Sequence, residues 1–153
     1  MKQVVCAVMR RYGKVLLARR AAGEHLAGHW ELPGGKVEDG ESFAAALRRE
    51  LHEELGLNAQ IGAEVARSRY RYERGSIELI ALEAHSEEAV GTLQVHDAVA
   101  WFAADELAGI TIAPADIPLL DAILSPAVVG SDEVGNALQS RSGANSDELR
   151  GGR

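Results

Sequence analysis

Residues Gln3–Met9 form an almost unbroken apolar run, the pattern of a buried strand. Arg10-Arg11-Tyr12-Gly13 reads as a turn, and Lys14–Arg19 returns as a second strand. Ala21–Trp30 is small and polar, a loop. Leu32-Pro33-Gly34-Gly35 is a hard break, and Asp39-Gly40 a further turn. Ser42 then opens the most regular helical period in the chain, which closes at Gly56, a residue suited to the left-handed cap position. Ile61–Glu73 and Ser76–Ala84 predict two long strands joined around Arg74-Gly75. A short strand over Ala98–Phe102, a helical turn over Ala104–Ala108 and a final helix over Asp116–Leu124, with Pro118 in its first turn, complete the pattern. Strands, helix, strands, helix predict a mixed α/β fold with a sheet between helices.

The helix from Ser42 to Leu55 has two informative faces. Phe43, Leu47, Leu51 and Leu55, joined by Ala44, make a core stripe. Glu50, Glu53 and Glu54 are spaced i, i+3, i+4, so their carboxylates share a face beside that stripe, and the exposed positions fall around Ala45, Arg48 and His52. Like charges at this spacing each cost a few tenths of a kcal/mol, roughly, when nothing neutralises them. One reading is a solvated acidic helix with Arg48 and Arg49 as partners. The other is a site for a hard divalent cation, Mg²⁺ or Mn²⁺, since the ligands are all oxygen. The alternating acidic loop of a Ca²⁺ site is missing. Cys6 is alone and His25, His29, His52, His85 and His96 are scattered, which argues against zinc.

Composition narrows the field. The 153 residues carry 16 Lys and Arg against 23 Asp and Glu, a net charge of −7, which argues against a protein that wraps duplex nucleic acid. A small polyanion remains possible if cations bridge the like charges. The single cysteine fits a reducing compartment. The apolar start is too short for a membrane span and lacks a cleavage site, so the expected location is cytoplasmic. From Ser125 the chain holds five Gly and five Ser with no helical or strand period, so residues 125–153 read as a disordered tail to a domain of residues 1–124.

Gly35, Glu41 and the run Arg49-Glu50-Leu51-His52-Glu53-Glu54-Leu55-Gly56-Leu57 resemble the signature of the Nudix hydrolases at every defined position. Arg19-Arg20, Trp30-Glu31-Leu32-Pro33-Gly34-Gly35-Lys36 and Ala113-Pro114-Ala115-Asp116 resemble its MutT-type branch. Gly91-Thr92-Leu93-Gln94 and Ala113–Leu120 are similar to its bacterial CTP pyrophosphohydrolases. The resemblance implies a Nudix α/β/α sandwich with a mixed central sheet. It implies hydrolysis of a nucleoside triphosphate to monophosphate and pyrophosphate, with Mg²⁺ as cofactor and Mn²⁺ as its substitute. Glu50, Glu53, Glu54 and the Gly35 carbonyl are then the expected metal ligands, with Glu50 also orienting or deprotonating the water. Glu41 and Arg49 are expected to pair and tie loop to helix, and Gly56 to close it. Arg20 and Lys36 either hold phosphate or base edge or are ordinary surface charge.

MutT-type relatives usually carry an acid six residues before a Trp in the last strand; that position here is Val95, so Asp97 or a water is expected to substitute. Asp116 has two readings, a helix N-cap or a carboxylate accepting from the N4 amine of cytosine. The second favours CTP, dCTP and modified cytosines. Hydrolysis of 8-oxo-dGTP is the alternative, and a non-hydrolytic nucleotide sensor a third, against which the intact Glu50, Glu53 and Glu54 speak. Tyr70 and Tyr72 alternate along a strand, as sheet-face aromatics or as a platform for a base, with Arg67, Arg69 and Arg71 on its other face. The expected partner is a small nucleotide, with no stable nucleic-acid binding and no membrane, in a monomer or homodimer.

Overall fold

The structure is a computed structural model that describes residues 1–124; the expected tail, 125–153, lies outside the described residues. Eight strands and two helices follow in order: β1 Lys2–Val8, β2 Arg10–Arg11, β3 Lys14–Arg20, β4 Trp30–Glu31, β5 Gly34–Lys36, α1 Phe43–Leu55, β6 Gln60–Tyr72, β7 Gly75–His85, β8 His96–Phe102 and α2 Ile117–Leu124. Short 3-10 turns cover Ala104–Gly109 and Pro114–Asp116. The expected turn at Arg10–Gly13 shrinks to Tyr12-Gly13, because both residues adopt positive φ (52° and 77°) and so let Arg10 and Arg11 pair with Val15 and Lys14.

The expected mixed sheet is present, divided into two. One has the order β5-β1-β7-β6, with β1 and β7 parallel and the other neighbours antiparallel. The second runs β2-β3-β4, and β8 also pairs with β3. Alternation along the central strands makes two cores. Val5, Ala7, Ile80 and Leu82 pack with Leu47, Leu51 and Leu55 of α1. Cys6, Val8, Leu79 and Ala81 pack with Leu119 and Leu120 of α2. Strands buried on both faces explain why the amino-terminal run carries no polar alternation.

Helix α1 is fixed at both ends by the residues that predicted it. The Ser42 hydroxyl accepts from the Ala45 amide at 3.1 Å. Gly56 takes the left-handed conformation (φ 66°), and a Cβ there would also stand 3.2 Å from Gly91 Cα. The buried stripe is Ala46, Leu47, Leu51 and Leu55. Ala46 replaces the expected Ala44, which is half-buried, as is Ala45, expected to be exposed. The apolar face is thus turned slightly from the predicted one.

Candidate active site

The three glutamates of α1 sit at graded depth. Glu53 stands in solvent, with 58% of its side chain exposed, whereas Glu50 keeps only 13%. Glu54 is half-buried, and its Oε1 is fully enclosed with no hydrogen-bond partner among the described residues. Burial, then the charges of Glu50 and Glu31, push the Glu54 carboxyl up to about 8, against the opposing effect of Arg20.

Arg49 organises the outer side of this face. Its Nε and Nη2 donate to the two oxygens of Glu41 at 2.7 and 2.9 Å, a bidentate pair that ties the loop before α1 to the helix. Nη2 also donates to the Lys36 carbonyl at 3.1 Å, while Nη1 reaches Glu50 at 2.9 Å and Glu53 at 3.3 Å. Glu41 accepts in addition from the Glu38 amide at 2.9 Å. The guanidinium, with that amide, holds the Glu41 carboxyl down at about 2. Lys36 is exposed on β5.

Gly35 lies directly beneath Glu50: a Cβ there would run into the Glu50 carboxylate, so only glycine lets that side chain lie against the strand. Neighbouring Gly34 is equally constrained, since its Cβ would strike the β1 backbone at Val5.

The inner side of the site joins the expected Arg20 and Asp116 to Glu31 and His96, whose importance the sequence did not reveal. Glu31 on β4 accepts through one oxygen, Oε2, from both Arg20 Nη1 (3.0 Å) and His96 Nε2 (2.8 Å). Arg20 is further held by Glu24 at 3.6 Å and the His25 carbonyl, so it faces a network rather than open solvent. Asp116 is buried, and its Oδ2 accepts from the Leu32 amide at 2.8 Å. Burial and the charge of Glu31 push its carboxyl up to about 8. Its side chain therefore ties the last 3-10 turn to the β4–β5 junction. The N-cap reading is corrected: Asp116 lies inside that 3-10 turn, ahead of α2, and its side chain serves Leu32.

The expectation that Asp97 supplies the acid missing at Val95 is corrected as well. Asp97 is exposed and bonded to Arg19 Nε at 2.7 Å. The further carboxylate whose charge acts on Glu54 is Glu31. Spacing could not reveal this, because Glu31 sits 23 residues before Glu54 on a different element. Tyr70 and Tyr72 stack on each other, ring centroids 6.5 Å apart.

A divalent cation fits this acidic face at one clear point, the enclosed and unpartnered Oε1 of Glu54 beside Glu50 and over the glycine-lined strand. Among the described residues no three acidic, imidazole or thiol groups converge on one point, and Arg49 bonds both Glu50 and Glu53.

Residues 1–123 match the NUDIX domain, and the chain belongs to that family. It is thereby a hydrolase of phosphoric anhydrides, in a family that generally uses divalent metals such as Mg²⁺. Among relatives, it is 48% identical over 128 residues to the CTP pyrophosphohydrolase of Escherichia coli, covering 82% of this chain and 93% of that protein. It is 41% identical over 59 residues to the E. coli 8-oxo-dGTP diphosphatase, covering 38% of this chain and 46% of the other. The solution structure of the E. coli ORF135 protein superposes with a TM-score of 0.67 at 45% identity, over 80% of this chain and 88% of that one. Among the described residues, no helix is long and apolar enough to cross a membrane.

Proposed function

We propose that this protein is a Mg²⁺-dependent nucleoside triphosphate pyrophosphohydrolase that favours CTP, dCTP and modified cytosine nucleotides. The observation that carries the reading is the enclosed, unpartnered Oε1 of Glu54 on a face shared with Glu50 and Glu53. A carboxyl buried without a donor is costly as architecture and becomes reasonable once a cation binds it. The likeness to the E. coli CTP pyrophosphohydrolase supports the substrate class.

In this reading Glu53, Glu54, Glu50 and the Gly35 carbonyl hold the ion. When bound, it neutralises phosphate charge and makes water a stronger acid. Glu50 orients the water and takes its proton as the water oxygen bonds to phosphorus. The anhydride P–O bond breaks and pyrophosphate leaves with the electron pair. Glu41 and Arg49 hold loop to helix, and Gly56 ends α1. Lys36 and Arg20 meet the phosphates or base edge, and Asp116 meets the base. The substrate is a small nucleotide taken up by a cytoplasmic monomer or homodimer, without stable nucleic-acid or membrane binding.

The second reading, hydrolysis of 8-oxo-dGTP, rests on the likeness to the diphosphatase and on Asp116. A carboxyl pushed up to about 8 offers a donor and an acceptor together at neutral pH, a pairing that a purine edge can also meet. The test is pyrophosphate release with Mg²⁺ across CTP, dCTP, 5-substituted dCTP, dGTP and 8-oxo-dGTP. Cytosine nucleotides should give the highest kcat/KM. A preference for 8-oxo-dGTP would replace the first reading by the second, and tight binding without release would make the protein a sensor.

A further inference from the structure

Among the described residues, His96 has a wholly buried ionisable side chain that the chemistry above leaves without a role. It stands where β8 leaves its regular register: Arg19 pairs with Ala98 but Arg20 pairs with His96, so Asp97 is an extra residue, a β-bulge. Arg19 bonds the Asp97 side chain on the outside. Bulges re-aim a neighbouring side chain, and here His96 is delivered to Glu31. A carboxylate only accepts, so His96 Nε2 carries the proton of this 2.8 Å hydrogen bond. Its Nδ1 has no partner among the described residues. Both donors to Glu31, His96 Nε2 and Arg20 Nη1, reach the same oxygen, Oε2. Oε1 makes no hydrogen bond among the described residues and is not sealed from solvent. Glu31 and Arg20 are both close enough to act electrostatically on Glu54 and on Asp116.

We propose that His96 is a positioning residue acting through Glu31: with Arg20 it clamps Oε2 and so presents Oε1 to the nucleotide, in the part of the site shared by Glu54 and Asp116. The proposal rests on the pyrophosphohydrolase reading. A histidine kept only for packing would be indifferent to the identity of residue 31. One kept for Glu31 is energetically coupled to it.

The experiment is a double-mutant cycle on the full chain, with kcat and KM for CTP under Mg²⁺ and melting temperatures for each protein. In His96→Asn the amide stops short of Glu31, and kcat/KM falls about 10- to 100-fold, the range for losing a group that orients a functional ligand. In His96→Gln the amide nitrogen falls near the place of Nε2 and restores activity to within about threefold, close to what uncoupled changes produce. In a Glu31→Ala background, His96→Asn costs less than about threefold more. Losses that multiply in the double variant, or Gln no better than Asn at equal melting temperature, overturn the proposal. Should the wild-type chain release pyrophosphate from no triphosphate, the reading of function fails instead. The same cycle is then read as the dissociation constant for α,β-methylene-CTP, where coupled losses uphold the clamp and independent losses overturn it.

Discussion

The two sides of helix α1 treat carboxylates in opposite ways. On the outer side every acid near Arg49 has a cation to face, and Glu41 is held down at about 2. On the inner side Glu54 and Asp116 are both pushed up to about 8, and Glu54 Oε1 makes no hydrogen bond among the described residues. One region has its charges paired, and the other holds an enclosed oxygen without a hydrogen bond among the described residues. Structural ion pairs explain the first without reference to any ligand. The second makes sense when a cation and a nucleotide complete it.

The largest effects should come from the three glutamates proposed to hold the ion, Glu54 on the inner side and Glu53 and Glu50 where the two sides meet at Arg49. Glu54→Gln and Glu53→Gln keep shape and remove charge, and each should lower kcat by at least ~10²-fold, the scale of one key electrostatic group. Glu50→Gln should match them. His52→Gln, one residue from Glu53 but exposed, should be nearly silent in the same assay. An equal loss at His52 would contradict the assigned helix face.

Next in size is Asp116→Asn. If the Asp116 carboxylate reads cytosine N4, discrimination for CTP over GTP in kcat/KM should fall by ~1–3 kcal/mol. The preference in the parent protein should also grow between pH 7 and pH 9, as the carboxyl loses the proton that burial favours. Unchanged ratios for all bases would assign Asp116 solely to its bond with the Leu32 amide. Smaller again is Arg49→Lys, which keeps the charge and loses the two-pronged grip on Glu41. About a tenfold fall in kcat/KM is expected, with a lower melting temperature. If the outer side mattered more than the inner, this order would reverse. Least of all, deletion of residues 130–153 should leave turnover and melting temperature unchanged, and loss of either would make that segment part of the domain.

Much of this geometry was legible in the chain. Ser42 and Gly56 bounded α1 because a hydroxyl cap and a left-handed glycine are local devices, written within a few residues of where they act. The i, i+3, i+4 glutamates shared a face for the same reason. What escaped was long-range. Glu31 and His96 meet across 65 residues, and a bulge of one residue decides which side chain of His96-Asp97 turns inward. No periodicity encodes that choice. Asp116 was misread in part for a kindred reason. An acid at a helix start is an N-cap by local rules, and only the packing of β4 against the last turn shows that it serves Leu32.

The central claim, that Glu54 waits for a cation, is tested most directly by Mn²⁺ binding at pH 6 and pH 8 to the wild-type chain and to Glu54→Gln, with proton release followed in weak buffer. A carboxyl pushed up to about 8 holds its proton through most of that range, and an ion must expel it. Wild-type affinity should rise with pH and binding should release protons. By linkage, the metal-free folded state holds a proton that the unfolded chain gives up near its ordinary value, so its stability should fall as pH rises toward 8. In Glu54→Gln the affinity should drop, and its pH dependence and the proton release should shrink together. Equal affinity and equal proton release in the two proteins would contradict the account.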